Sequence, residues 1–320
     1  MNKQDLKIVF FGTPDFAVKS LDALVNGGYN IAAVVTMPDK PAGRGHHMYQ
    51  SPVKEYAISK DIPVMQPVKL KDPEFVDALR TINADLFIVI AFRMMPEVVW
   101  SMPRLGTFNL HASLLPDYRG AAPINHAIIN GETITGVTTF FLKHEIDTGD
   151  IIQRVPIDIL PSDNVGTLHD KLMDLGANLT IDTVNHILAG DLITTPQETL
   201  TIGHQPKPAP KIFRDTCHID WTLPAERIHN LVRGLSPYPA AWSTLKDLTS
   251  GPIDIKIFET RLTQTPSNGQ PGEITIDGSQ LYVNTGDTML QILSLQPNGK
   301  KRMPVADYLR GARLSNPHLY

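Results

Sequence analysis

Lys7-Ile-Val-Phe-Phe-Gly-Thr-Pro-Asp15 is the clearest structural signal in the sequence. Its apolar run has the length and composition of a buried strand and ends at Gly12. Pro14 and Asp15 then suit the first turn of a helix, because a helix start leaves unused the amide hydrogen that proline lacks. Apolar residues follow at helical spacing as far as Asn26-Gly-Gly28, which is typical of a helix end. This stretch therefore predicts a strand, a tight turn and a helix.

The same alternation of strand and helix signals continues along the first half of the chain. Further apolar or β-branched runs of strand length lie at 31–36, 86–92, 107–110 and 137–142. Helical patterns lie at 51–60, 73–82 and 165–189. Buried strands that alternate with helices indicate a mostly parallel sheet with right-handed crossovers. We therefore predict an α/β fold, with a Rossmann-like sheet that carries helices on both faces.

The character of the sequence changes near residue 203. Gly203-His-Gln-Pro-Lys-Pro-Ala-Pro-Lys211 has three prolines and no apolar periodicity, which favours a semi-extended linker. After one helical pattern at 224–235, short strand signals are separated by Pro-Gly, Asp-Gly and Asn-Gly turns, a pattern typical of a small β-barrel. We predict a first domain at 1–190, a linker at 191–211 and a smaller, OB-like β-barrel domain at 212–320.

Composition excludes several classes of protein. Apolar residues make up 42% and charged residues 19% of the 320 residues, which is ordinary for a globular protein. The single cysteine, Cys217, excludes an internal disulfide framework and any multi-cysteine metal site. No apolar stretch is long enough to cross a bilayer, and charged residues interrupt the N-terminus where a signal peptide needs an apolar run. We expect a cytoplasmic protein that contacts no membrane.

Charge is distributed unevenly between the two predicted domains. The first 206 residues carry 16 Lys/Arg and 23 Asp/Glu, a net charge of −7, and the rest carry 13 and 10, a net charge of +3. A mildly basic second domain favours an anionic partner. Solvated surface charge explains the same numbers, so the asymmetry by itself leaves both interpretations open.

Phe108-Asn-Leu-His111 is the first candidate for chemistry. Alternation along a strand places Asn109 and His111 on one face. A carboxamide can donate a hydrogen bond to a developing oxyanion, and histidine transfers protons near neutral pH. The same tetrapeptide is also compatible with an asparagine and a histidine that have only a structural role at the end of a strand.

A carboxylate follows in a turn after the next strand signal. Asp147 opens the turn Asp147-Thr-Gly-Asp150. Carboxylates in such turns commonly bind backbone amides, but one at a strand end can also orient a neighbouring histidine or hold it charged. Asn109, His111 and Asp147 are therefore the candidate catalytic set.

Together, these motifs resemble the folate-dependent formyltransferases. The resemblance covers nearly the whole chain, and it lies in Phe11-Gly-Thr-Pro-Asp-Phe-Ala17, Pro38-Asp-Lys-Pro-Ala-Gly-Arg-Gly45, Ser51-Pro-Val-Lys54, Asn109-Leu-His111, Ser113-Leu-Leu-Pro116, Tyr118-Arg-Gly-Ala-Ala-Pro123, Asp147-Thr-Gly-Asp150, Ala209-Pro-Lys-Ile212, Ile219-Asp-Trp221 and Arg233-Gly-Leu-Ser-Pro-Tyr-Pro239. The catalytic motifs are common to the superfamily. The second domain and the Pro-Ala-Gly-Arg-Gly segment are similar to the branch that acts on initiator methionyl-tRNA.

The resemblance implies a reaction. A formyl group passes from 10-formyltetrahydrofolate to the amino group of methionine on initiator methionyl-tRNA, for translation initiation. Asn109 and a protonated His111 would stabilise the oxyanion, Asp147 would assist proton movement, and no metal is needed. We expect a monomer. The alternative is a sugar-nucleotide formyltransferase that uses the same folate and the same three residues.

The resemblance also implies binding residues. The loop Ser113, Leu114, Leu115 and Pro116 would pack against the reduced folate ring. The candidate contacts to tRNA are basic residues on a glycine-flanked loop and in or near the second domain: Arg44, Lys207, Lys211 and Arg233.

Overall fold

A computed structural model describes residues 2–42, 47–247, 251–312 and 314–320. The chain divides into two compact units, each built from separate segments. The first comprises Met1–Gly120, Thr135–Ile157 and His169–Pro208, and the second comprises Ala121–Ile134, Asp158–Leu168 and Ala209–Tyr320. None of the helices in these described ranges is both long and apolar enough to span a bilayer.

The elements are numbered in chain order. The strands are β1 (Lys7–Gly12), β2 (Asn30–Val35), β3 (Lys40–Ala42), β4 (His47–Tyr49), β5 (Val64–Met65), β6 (Leu86–Ile90), β7 (Thr107–His111), β8 (Arg119–Gly120), β9 (Ile134–Phe141), β10 (Ile151–Asp158), β11 (Pro208–Ala209), β12 (Ala241–Lys246), β13 (Ile253–Pro266), β14 (Ile274–Asp277), β15 (Gln280–Val283), β16 (Thr288–Pro297), β17 (Met303–Pro304) and β18 (His318–Leu319). The helices are α1 (Asp15–Asn26), α2 (Pro52–Ser59), α3 (Pro73–Ile82), α4 (Glu97–Trp100), α5 (Pro123–Ile129), α6 (Val165–Ala189), α7 (Gln197–Leu200), α8 (Ala225–Leu235) and α9 (Val305–Gly311), with a 3₁₀ turn at Asp215–Cys217.

A central sheet organises the first unit, with strand order β10-β9-β7-β6-β1-β2-β5. β1 pairs in parallel with β2 and β6, β2 with β5, and β6 with β7, while β9 runs antiparallel to β7. This mostly parallel sheet confirms the predicted α/β fold. From β1 the chain builds outward through β2 to β5 and then returns to β6 on the other side. Such a reversal opens a crevice at the carboxyl ends of the strands, where α/β proteins bind ligands.

Burial explains why the strand signals of the first unit are continuous apolar runs. From Ile8 to Phe11 each side chain is fully buried, and every residue of β6 is buried. Parallel strands are covered on both faces, so they do not show the alternation of a half-exposed strand. One apolar cluster, around Phe11, Phe87 and Val89, fills one face of β1 and β6.

A second sheet organises the second unit, with strand order β14-β15-β16-β13-β12-β18 and β17 paired to β16. Its two end strands also meet, because the Leu319 amide donates to the Gly272 carbonyl at 2.8 Å and the Ile274 amide to the Pro317 carbonyl at 3.2 Å. Gly272 has φ of +90°, and a Cβ there would lie 2.1 Å from the Leu319 oxygen. The nearly closed antiparallel barrel confirms the predicted smaller β-barrel domain, and glycine is required where it closes.

The two compact units do not coincide with the predicted domains, whose boundaries lie at residues 190 and 211. Helix α5, from the first 190 residues, belongs to the second unit because it packs on α8. The Asn125 side chain donates to the Gly234 carbonyl at 2.8 Å, and a Cβ at Gly234 would lie 2.6 Å from Ile129. The segment 191–211 contains α7, which precedes the proline-rich stretch 203–211, and the two-residue strand β11, which lies within that stretch. The boundaries 1–190, 191–211 and 212–320 stay a prediction of where the domains separate.

Candidate active site

The candidate histidine ends β7 at the carboxyl edge of the sheet. His111 is 7% exposed, and its Nε2 donates to the Tyr118 carbonyl at 2.8 Å. Tyr118 has φ of +62°, a conformation that belongs to the turn following the Ser113–Pro116 loop. Because a carbonyl only accepts, this bond leaves Nδ1 as the nitrogen that gains or loses a proton.

Asp147 faces that nitrogen. Its Oδ2 accepts a hydrogen bond from the Gly120 amide at 3.0 Å and lies 4.0 Å from the Nδ1 of His111. Both side chains are nearly buried, at 8% and 12% exposure. A distance of 4.0 Å exceeds a direct hydrogen bond but is within the range of an ion pair when the imidazole is charged. The structure therefore brings these two predicted residues together.

Asn109 lies two residues before His111 on β7, so the two side chains are on the same face of the strand. The Asn109 carboxamide has unused hydrogen-bonding capacity. Its Oδ1 is buried and has no hydrogen-bond partner within the described residues. The same holds for Oγ1 of Thr13, which directly follows β1 at this edge of the sheet. Buried polar atoms are normally paired, so two unpaired ones at the carboxyl ends of β1 and β7 indicate a place for a polar ligand. Because the two ends of a carboxamide exchange by rotation, Asn109 can present either oxygen or NH₂ there.

A residue that the sequence did not single out holds the Asp147 turn. The Gln197 side chain is fully buried, and its Nε2 donates to the carbonyls of Asp147 and Gly149 at 2.9 and 2.8 Å. Its Oε1 accepts from Nε and Nη2 of Arg119 at 3.0 and 2.7 Å. The single sequence signal here is Pro196, which is typical of a helix start and says nothing about the partners of the next side chain.

The predicted folate loop divides into internal and accessible residues. Ser113 and Leu115 are fully buried. The Ser113 hydroxyl donates to the Asp117 carbonyl, and the Leu115 amide donates to the Thr138 hydroxyl at 3.1 Å. Pro116 is also buried, whereas Leu114 is half-buried. The apolar surface that this loop can offer to a ligand therefore belongs chiefly to Leu114.

The predicted tRNA contacts differ in their surroundings. Arg44 lies outside the described residues. Lys207 and Lys211 are exposed, and the Nζ of Lys211 lies 5.5 Å from the centre of the Phe213 ring. Arg233 donates from Nε to the Asn230 side chain at 2.9 Å and from Nη1 to the Asp163 and Leu160 carbonyls at 3.2 and 3.3 Å. Burial lowers the pKa of the Arg233 guanidinium, and the charge of Asp163 partly offsets that shift.

The solved structures that resemble this chain share its fold at low sequence identity. WlaRD, described as a sugar 3N-formyl transferase in the presence of dTDP and 5-N-formyl-THF, matches with a TM-score of 0.65 and 18% identity, over 92% of this chain and 99% of that one. HypX from Aquifex aeolicus, in complex with tetrahydrofolic acid, matches with a TM-score of 0.62 and 18% identity, over 94% of this chain. The match covers 46% of HypX, so the chain spans about half its length.

Sequence comparisons identify much closer relatives. The formyl transferase family model matches residues 6–184, and the model of the formyl transferase C-terminal domain matches residues 211–313. A methionyl-tRNA formyltransferase of Bacteroides fragilis is 57% identical over 316 residues, which cover 98% of each chain. Since both family models match and this relative is similar over its full length, the chain belongs to the formyl transferase family.

Proposed function

We propose that this chain transfers the formyl group of 10-formyltetrahydrofolate to the amino group of methionine on initiator methionyl-tRNA, the modification that prepares this tRNA for translation initiation. The observation that carries the proposal is the site at the end of β7. There His111 lies 4.0 Å from Asp147, and Asn109 lies two residues before His111 on the same strand face, in a chain 57% identical to a methionyl-tRNA formyltransferase.

The residues at that edge fit a folate-derived donor, because Asn109 and Thr13 both have unpaired buried atoms there. When bound, the donor supplies an activated formyl group. Asn109 donates a hydrogen bond to the formyl oxygen as negative charge develops on it. A well-placed donor of this kind contributes about 2.7–4 kcal/mol to lowering a barrier.

The methionine amine bonds to the formyl carbon, the bond between that carbon and the folate nitrogen breaks, and His111 passes the proton that the amine loses to the departing nitrogen. The His111 ring is fixed through Nε2 by the Tyr118 carbonyl, so Nδ1 is the nitrogen that exchanges a proton with the reacting groups. Asp147, 4.0 Å away, stabilises the charged ring. General acid–base catalysis of this kind contributes about 10²–10⁴-fold to the rate.

The remaining residues bind the two substrates. Leu114 and the backbone of the Ser113–Pro116 loop hold the reduced folate ring. Exposed cations attract the phosphates of the tRNA, with Lys207 and Lys211 as the described candidates and Arg44 as the candidate on the glycine-flanked loop. Arg233 remains a predicted contact to the tRNA phosphates. We propose that the protein works in this way as a monomer in the cytoplasm.

A sugar-nucleotide formyltransferase is the second candidate, since WlaRD matches the fold over nearly all of its own length. Both activities need the same three catalytic residues, so the acceptor separates them. The purified protein is incubated with 10-formyltetrahydrofolate and either charged initiator tRNA or an amino-sugar nucleotide. We expect formyl-methionine on the tRNA and no formylated sugar. Transfer to the sugar nucleotide alone would contradict the proposal.

Arg44 allows a separate test of the tRNA interaction. Glycines flank Arg44 in the sequence, so Arg44→Ala should not disturb a core. We expect a raised KM for charged tRNA and an unchanged dissociation constant for the folate in a direct titration. Unchanged tRNA kinetics would show that Arg44 is a solvated side chain.

A further inference from the structure

We propose that Gln197 is a positioning residue, which holds the Asp147 turn so that the carboxylate faces His111. The proposal rests on the proposed formyl transfer for its kinetic consequence. Its structural basis is the set of hydrogen bonds around one fully buried side chain outside the three catalytic residues.

The turn that Gln197 contacts has a demanding backbone. Asp147 has φ of +55°, which is uncommon for a residue with a side chain. At Gly149 the backbone passes so close to Phe141 that an added Cβ would lie 1.5 Å from the Phe141 oxygen. Such a conformation persists only where the surroundings hold it. Gln197 supplies that support, because its NH₂ group donates to the carbonyls of both Asp147 and Gly149.

The other end of the Gln197 carboxamide is fixed as well. Two nitrogens of the Arg119 guanidinium donate to Oε1, which orients the amide so that its NH₂ group points at the turn. The Nε2 of Gln197 therefore donates two hydrogen bonds and its Oε1 accepts two.

Three consecutive residues connect Gln197 to the catalytic pair. The Tyr118 carbonyl accepts from His111, the Arg119 side chain holds Gln197, and the Gly120 amide donates to the Asp147 carboxylate. Gln197 closes this arrangement by binding the Asp147 carbonyl. Loss of its NH₂ group would release the backbone of Asp147 while the His111 ring stays in place. The separation of carboxylate and imidazole would then vary.

The test variant is Gln197→Glu. A glutamate keeps the size of the side chain and still accepts from Arg119, but it cannot donate to the two turn carbonyls. We expect kcat for formyl transfer to charged tRNA to fall about 10–100-fold, because misplacement by about 1 Å has effects of that order. KM for the folate and for the tRNA should stay within about twofold of the values for the unchanged protein, since Gln197 contacts neither the predicted folate loop nor the predicted tRNA contacts.

Glu198→Gln is the matched control. It makes the reverse chemical change at the next position of α7, and its side chain is exposed. Its kcat should equal that of the unchanged protein. Gln197→Asn keeps the amide on a shorter stem, which cannot reach both carbonyls and Arg119 together, so its kcat should lie between those of the other two.

An activity-independent readout separates this proposal from the proposed function. The Gly120 amide is bonded to the Asp147 carboxylate, so its hydrogen exchange reports on the position of that carboxylate. We expect faster exchange of Gly120 in Gln197→Glu and unchanged exchange in Glu198→Gln. If the unchanged protein formylates no tRNA, the function fails while the exchange result still stands. Unchanged Gly120 exchange, or a kcat in Gln197→Glu equal to that of the control, would overturn the positioning role.

Discussion

Asn109 on β7 and Arg233 on α8 are both partly buried polar side chains that the sequence marked as functional, and the structure surrounds them very differently. The Asn109 oxygen has no partner within the described part of the chain. The Arg233 guanidinium binds one side chain and two backbone carbonyls inside its own unit. Polar groups whose bonds are all made within the fold stabilise it, whereas a buried group with bonds unmade has capacity for a ligand. The difference predicts opposite outcomes of substitution at the two places.

Substitutions at the end of β7 should reduce activity the most. His111→Ala, Asn109→Ala and Asp147→Ala should each lower kcat by about 10²–10⁴-fold, because each removes a group that acts in the transition state. Their effects should not add, so the double variant of His111 and Asp147 should be little worse than the worse single one. Steady-state kinetics with charged tRNA measures this.

His186→Ala is the control for that series, since its side chain is 48% exposed and lies on α6, outside the strand and turn that carry the three residues. Thermal unfolding should show that the Asn109 variant stays close to the unchanged protein in stability, because few contacts are lost. Near-normal kcat in His111→Ala would refute the assignment of the site.

The next effect distinguishes two adjacent leucines in the Ser113–Pro116 loop. Leu115 is fully buried, so Leu115→Ala should lower the free energy of unfolding by about 2–5 kcal/mol. Leu114 is half-buried, so Leu114→Ala should cost less stability and weaken folate binding more. Denaturant unfolding and direct folate titration measure the two quantities. If both variants bind folate as tightly as the unchanged protein, the loop does not contact the folate.

The smallest effect compares Arg233 with Lys211. Arg233→Ala should lower the free energy of unfolding by about 1–3 kcal/mol, because two carbonyls and an amide lose their donor. Lys211 is exposed, and Lys211→Ala should change stability by less than about 0.5 kcal/mol.

The salt dependence of tRNA binding gives a second measurement on Arg233 and Lys211. Phosphate contacts release counterions, so Lys211→Ala should reduce the salt slope of tRNA affinity by up to about one unit. Arg233→Ala tests whether a guanidinium that is bonded within the fold also contacts phosphate: a slope reduced by about one unit would keep Arg233 among the tRNA contacts, and an unchanged slope would remove it. Equal slopes for both variants and the unchanged protein would remove Lys211 from the tRNA contacts.

Strand and helix signals predicted most of the central sheet. β1, β6 and β7 lie within one residue or two of their predicted positions, because buried parallel strands are continuous apolar runs. The contacts that Thr195 and Gln197 make with distant residues were not predicted. Thr195 bridges Ile151 and Gln197 binds the Asp147 turn, and neither contact leaves a periodic pattern in the sequence.

Local sequence patterns were enough to predict the α/β sheet, the β-rich second half and the placement of Asn109 and His111 on one strand face. These follow from hydrophobic periodicity and turn chemistry, which act between near neighbours. Three other features became visible in the folded chain: Gln197 binds the Asp147 turn, Arg233 is bonded within its own unit, and α5 packs on α8. Each of these depends on residues 50 or more positions apart, whose meeting is set by how the strands and helices pack and not by local sequence.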